Sequence, residues 1–163
     1  MAGTQSQMGF GAGATPKKVT IYTSGTGTFT PDPSSTWRRE RLGGGGGGGG
    51  GGNTGTSGGA GQPGGVSDMW VKNDGVAKTY AVGAAGAAGA SSSAGGDGGA
   101  TTLGGSSAPG GLGGAAGPAS GSYIAPPRGA QAPFQTYGRA GDGGVSTGPG
   151  TAGTGGVIVI EEY

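Results

Sequence analysis

The sequence predicts a mainly β protein with little or no α-helix: a small β base carrying a bundle of glycine-rich, polyproline II-like (polyglycine II) helices and loops. Three observations predict it. Glycine supplies 48 of the 163 residues and proline another 10, so side-chain volume suffices only for a small core. Short runs dense in Val, Ile, Thr, Tyr and Phe are punctuated by turn residues, the pattern of short strands. Between those runs glycine recurs at every third position: 55, 58, 61 and 64; 83, 86 and 89; 111, 114 and 117; and 138, 141, 144, 150, 153 and 156, with Thr147 the one exception in that phase. Period three is the repeat of an extended polyproline II helix.

Residues 1–16 are small and polar, with Met8 and Phe10 the only large side chains before the pattern changes, and are expected to form an arm that is free or docks on a partner. Residues 17–163 are expected to form one glycine-rich domain, with base strands near 18–31, 36–42, 69–82 and 157–162 and a bundle formed by 43–65, 83–121 and 138–156. KKVTIYTSGTGTFTPDP predicts two strands around a tight turn at Gly25 and Gly27, closed by Pro31 and Pro33. TWRRERL predicts a strand with Trp37, Arg39 and Arg41 on one face and Arg38, Glu40 and Leu42 on the other. SDMWVKNDGVAKTYAVG predicts a hairpin, 69–72 with 76–82, turned by Asn73-Asp74-Gly75. Val157, Ile158, Val159 and Ile160 are apolar on both faces, which suits a central or doubly covered strand; as an exposed edge strand they invite pairing with another chain, so an oligomer or a docked partner is expected.

The strand at 36–42 delivers the chain into ten consecutive glycines, Gly43 to Gly52. Glycine loses more backbone freedom on folding than any other residue, so such a run resists order unless its backbone groups are satisfied. A segment with glycine at every position can sit at the centre of a bundle with neighbours on all sides, and at ~3.1 Å per residue it would span roughly 31 Å. Collagen shares the period but wants proline at the other two positions; here they hold Ala, Ser, Thr and more Gly, and the breaks between runs favour a chain folding back on itself.

Composition also excludes functions. Charged residues make up 10% of the chain and the net charge is +1, with Glu40 inside the Arg38, Arg39, Arg41 cluster, so nothing warrants a nucleic-acid partner. No run approaches the ~20 apolar residues of a membrane span, and the N-terminus lacks a signal-peptide pattern, which predicts a soluble, cytoplasmically made chain. With neither His nor Cys, the usual nucleophile–base pairs and zinc sites are excluded; no enzyme activity, cofactor or metal is expected. Glu161 and Glu162 point to opposite sides of a strand and make no catalytic pair. GVAKT fails the phosphate-loop pattern and GGDGGATTL the calcium-repeat pattern, so Asp97 and Asp142 are expected in turns.

Three stretches carry a family resemblance: GTFTPDPSSTWRRERLGGGGGGGG, KTYAVGAAGAAGASSSAGGDGGATTLG and GTGGVIVIEEY. Their order resembles the glycine-rich domain family found at the ends of bacteriophage tail fibres and in other phage tail proteins, over about residues 20 to 163. The resemblance implies a structural component of a phage tail, at a fibre end, baseplate or tail tip and in contact with the host surface. Implied partners are other tail proteins, a second copy or a fibre subunit, and a host receptor; the implied location is the virion. The arm at 1–16 is the expected attachment to the rest of the tail. This chain departs from the family in its Arg-rich second strand, which puts one face of that strand against water or an acidic partner.

The candidate partner surface is Tyr123, Ile124, Arg128, Phe134, Tyr137 and Arg139, together with Arg38, Arg39 and Arg41. Two readings fit the aromatic group: a mini-core covering one end of the bundle, or an exposed aromatic and arginine surface of the kind enriched at interface hot spots. Beside the tail component stand three other readings: a dedicated receptor-binding adhesin, an ice-binding protein with a flat Ala/Thr face, and a disordered glycine-rich linker.

Overall fold

The computed structural model describes residues 15–118 and 136–163, and those residues contain strands and no helix. The strands are β1 (Lys18–Tyr22), β2 (Thr26–Phe29), β3 (Trp37–Gly43), β4 (Val66–Lys72), β5 (Lys78–Ala81), β6 (Thr101–Leu103), β7 (Ser106–Ala108) and β8 (Val157–Glu162). They form two four-stranded sheets, ordered β1-β8-β3-β4 and β2-β5-β6-β7, with every pairing antiparallel.

Neither expected hairpin forms. The strand β1 pairs with β8, whereas β2 pairs with β5 in the other sheet. The reason lies in β8: its Val-Ile-Val-Ile run is apolar on both faces and takes the interior position between β1 and β3, so β2 is left to the facing layer. Val157 to Ile160 therefore form no edge; in this sheet β1 and β4 do. Likewise β4 pairs with β3 and β5 with β2. The Asn73-Asp74-Gly75 turn instead crosses between layers, with the Asn73 amide donating to the carbonyls of Asp32 (2.8 Å) and Ser35 (2.9 Å) while its Oδ1 accepts the Gly75 N–H (3.1 Å). Gly25 (φ 80°) and Gly75 (φ 68°) take the left-handed backbone at the two crossings. The hairpin that does exist, β6–β7, turns on Gly104-Gly105 and was not expected from the sequence.

Between the sheets lies a small apolar core of Phe29, Leu42, Leu103, Ala108, Ile158 and Ile160, flanked by Tyr22, Tyr80 and Val82. Tyr22 and Tyr80 stack across the layers at 4.0 Å.

The ten-glycine run leaves β3 and becomes the axis of a second module. Its N–H groups donate in rotation to three chain segments. Gly44, Gly47 and Gly50 donate to Gly65, Gln62 and Gly59; Gly45, Gly48 and Gly51 to Gly99, Gly96 and Ser93; Gly46, Gly49 and Gly52 to Thr154, Thr151 and Gly148, all at 2.8–2.9 Å. Its carbonyls accept in rotation from three others: Gly45, Gly48 and Gly51 from Gly111, Gly114 and Gly117; Gly46, Gly49 and Gly52 from Gly86, Gly89 and Ser92; Gly47 and Gly50 from Gly141 and Gly144. The first three segments run antiparallel to the axis and the second three parallel. Bonds between neighbours close a ring in the order 58–65, 138–144, 148–156, 83–89, 95–99 and 109–117, in which the two directions alternate.

Most of the period-three glycines are inward positions; Gly55 is not, because it takes a left-handed turn (φ 74°) between Asn53 and Thr56. Gly58, Gly61 and Gly64, Gly83, Gly86 and Gly89, Gly111, Gly114 and Gly117, and Gly138, Gly141 and Gly144 are all buried. Thr147 breaks its phase because it lies, exposed, between the 138–144 and 148–156 segments where the chain reverses. Asp97 and Asp142 belong to ring segments and not to turns: an Asp97 carboxylate oxygen accepts the Gly113 N–H, and the Asp142 carbonyl accepts that of Thr151.

Candidate functional site

Alternation along β3 separates its charges between two environments. Arg38, Glu40 and Leu42 point between the sheets and are buried, whereas Trp37, Arg39 and Arg41 line the outer face and are half-buried. Arg38, one of the expected surface arginines, is 2% exposed and donates from Nε to Glu40 Oε1 at 2.6 Å. It is thus removed from any partner surface.

On the outer face Arg39 makes a two-pronged contact with Asp68 of β4, Nε to Oδ1 at 2.9 Å and Nη2 to Oδ2 at 2.7 Å. Glu161 lies 3.8 Å from the same guanidinium, and Arg41 Nε lies 3.8 Å from Asp68. The hydrogen bonds to Asp68 raise the Arg39 pKa, and the reciprocal bond from Arg39 holds the Asp68 carboxyl below its ordinary value. The guanidinium also lies 6.0 Å from the Trp70 ring, which in turn is 5.0 Å from that of Tyr163. Two arginines face two carboxylates, so the basic cluster presents a charge-balanced surface. Sequence reasoning missed Asp68, Trp70 and Tyr163; alternation in VSDMWVK places Asp68 and Trp70 on one face and was the available signal.

Beyond this face the edge strand β1 exposes Val19 (51%) and Ile21 (58%). Glu161 and Glu162 do lie on opposite sides of β8: Glu162 is fully buried and its Oε1 accepts the Asp32 N–H at 2.7 Å. Tyr137 is half-buried and Arg139 exposed where the 138–144 segment begins, and the Arg139 N–H donates to Thr154 Oγ1 at 2.7 Å. Tyr123, Ile124, Arg128 and Phe134 lie outside the described residues, as does most of the N-terminal arm. Among the described residues no three His, Cys, Asp or Glu side chains group to hold a metal ion, and no helix is long and apolar enough to cross a membrane.

Thr101 joins base to bundle. It is fully buried at the start of β6, and its hydroxyl donates to the Gly43 carbonyl (2.7 Å) while accepting the Gly83 N–H (2.9 Å). One side chain thus ties the start of the axis to the start of a ring segment.

No protein-family model matches the chain, and no curated protein matches it.

Proposed function

We propose that this chain is a structural component of a bacteriophage tail, at a fibre end, baseplate or tail tip, and that its glycine module is a polyglycine II lattice. The observation that carries the lattice is the axis Gly44–Gly52, in which every N–H donates to one of three antiparallel segments and the carbonyls of Gly45–Gly52 accept from three parallel ones. A threefold rotation of partners along one segment is what a three-residue repeat requires. The direction in which a Cβ would extend from each of these glycines leads to a neighbouring backbone carbonyl, the arrangement of a Cα–H···O contact. Such a lattice builds a stiff rod without a large apolar core, and suits a particle part whose work is mechanical.

The tail reading rests on the family resemblance of the strand-to-glycine transitions, and the bundle is consistent with it. Its partners would be other tail proteins, with a host surface molecule met at the exposed end. Immunogold electron microscopy of phage particles, with an antibody against the purified chain, tests it. Gold at the distal tail supports the reading; bare particles, with the epitope shown accessible on the native protein, overturn it. One observation favours an ice-binding reading as second: Ala84, Ala85, Ala87 and Ala88 are all exposed along one ring segment. Failure to inhibit ice recrystallisation removes that reading.

A further inference from the structure

A cavity of about 220 Å³ lies between the two sheets, lined by Arg38, Glu40, Val71, Asp74, Lys78, Leu103, Gly105 and Ser106. Exposed Asp74 and Gly105 mark its mouth. Its polar wall is a continuous ribbon: Ser106 Oγ donates to Glu40 Oε2 at 2.8 Å, Glu40 Oε1 accepts from Arg38, Arg38 Nη1 lies 3.6 Å from Asp74, and Asp74 pairs with Lys78. The Arg38 and Glu40 side chains are each only 3% exposed, so these charges are held in place by the fold.

We propose that this cavity binds a single neutral sugar ring. Three features select that chemistry. Two cations face two anions, so a charged ligand gains no net attraction, and a carboxylate would compete with Glu40 for Arg38 while repelling it. Lys78 carries three donors and Arg38 five, more than Glu40, Asp74 and the Asn73 Oδ1 that accepts from Arg38 Nη1 (3.4 Å) use, and each carboxylate retains lone pairs; a hydroxyl, which donates and accepts, satisfies both sides of an ion pair without breaking it. Val71 and Leu103 add apolar wall for the C–H face of a ring. Drug-sized ligands occupy pockets of about 300–1,000 Å³, and this cavity is smaller, which fits one ring rather than an oligosaccharide. The inference does not depend on the tail reading.

The test is ¹⁵N-shift titration and saturation-transfer NMR on the full chain with glucose, galactose, mannose and N-acetylglucosamine. The expected result is a saturable shift of the Lys78, Gly105 and Ser106 amides with at least one of the four. Gly105 offers an orthogonal variant: an added Cβ meets nothing within 4 Å and its φ is not in the left-handed region, so Gly105→Leu adds bulk at the mouth without a Cβ clash. It should raise Kd at least about tenfold with an unchanged melting curve. Lys78→Met, which keeps the length and removes the donors, should also weaken binding. No saturable shift with any of the four sugars overturns the proposal. So does wild-type affinity in Gly105→Leu, or displacement of the bound sugar from the same amides by acetate or glycine.

Discussion

Gly48→Ala places one methyl group at the centre of the glycine module. The new Cβ lands on the Ala87 carbonyl oxygen, a backbone atom that no rotamer change can move aside. The 83–89 segment must withdraw, and that segment also donates Gly86 N–H to the Gly46 carbonyl and Gly89 N–H to the Gly49 carbonyl, both at 2.8 Å. Overpacking costs about 1–3 kcal/mol, and each buried group left unpaired costs a further ~1–3 kcal/mol. Alanine returns up to about 1 kcal/mol by restricting the unfolded chain. With both of those N–H groups left unpaired the net loss is therefore about 2–9 kcal/mol; at roughly 2–4 °C per kcal/mol for a chain of this size, the melting temperature should fall by about 4–36 °C. Gly105→Ala is the control, because its Cβ meets open space. Calorimetry of the two variants side by side gives the answer: melting temperatures within about 2 °C of each other would refute the reasoning, since both substitutions change the unfolded chain alike.

The tie between base and bundle predicts that Thr101→Val, which removes the acceptor for Gly83 N–H and the donor to the Gly43 carbonyl, costs about 2–4 kcal/mol in urea unfolding, while Thr101→Ser retains most of the stability. Removing Ile160, fully buried between the sheets, by Ile160→Ala should cost about 2–5 kcal/mol and lower the urea midpoint accordingly. Asp74 is held at about 2 chiefly by its hydrogen bond from Lys78, with the Val76 N–H also bonded to it. A depressed folded-state pKa favours the folded chain above the ordinary carboxylate range near ~4, and the contribution is lost as pH falls through about 2. Carboxyl-carbon NMR titration should find that midpoint in the wild type and a higher one in Lys78→Met; equal midpoints would contradict the assignment.

Much of the bundle was legible because glycine's requirement there is geometric and local. Gly58, Gly86, Gly114 and Gly141 stand at positions three apart from other buried glycines and turn inward toward one axis, whereas Gly55, in the same phase, takes a left-handed turn, and Gly95 and Gly98 of the 95–99 segment lie in none of the runs read from the sequence. Strand locations were legible for the same reason, since β-branched and aromatic runs mark them. Pairing was not. Which strand sits beside β1 is decided by competition for β8, and the fate of the Asn73 turn by the long-range hold of its amide on Asp32 and Ser35; neither leaves a trace in local pattern. The three residues of β6 and of β7 carry too little periodicity to stand out from the surrounding glycine. On β3 the two faces were predicted, but nothing in WRRERL says which arginine goes inside. That depends on Glu40, two positions away, supplying the buried partner for Arg38 and on Asp68 waiting outside for Arg39.

The glycine module requires that Gly44–Gly52 form an ordered axis. Amide hydrogen exchange by NMR on the selectively glycine-labelled chain measures this directly. Protection of these amides comparable to that of β8, lost only in global unfolding, is the predicted result. Exchange of Gly44–Gly52 within seconds, while the β8 amides remain protected, would contradict it and leave the run a linker between strands.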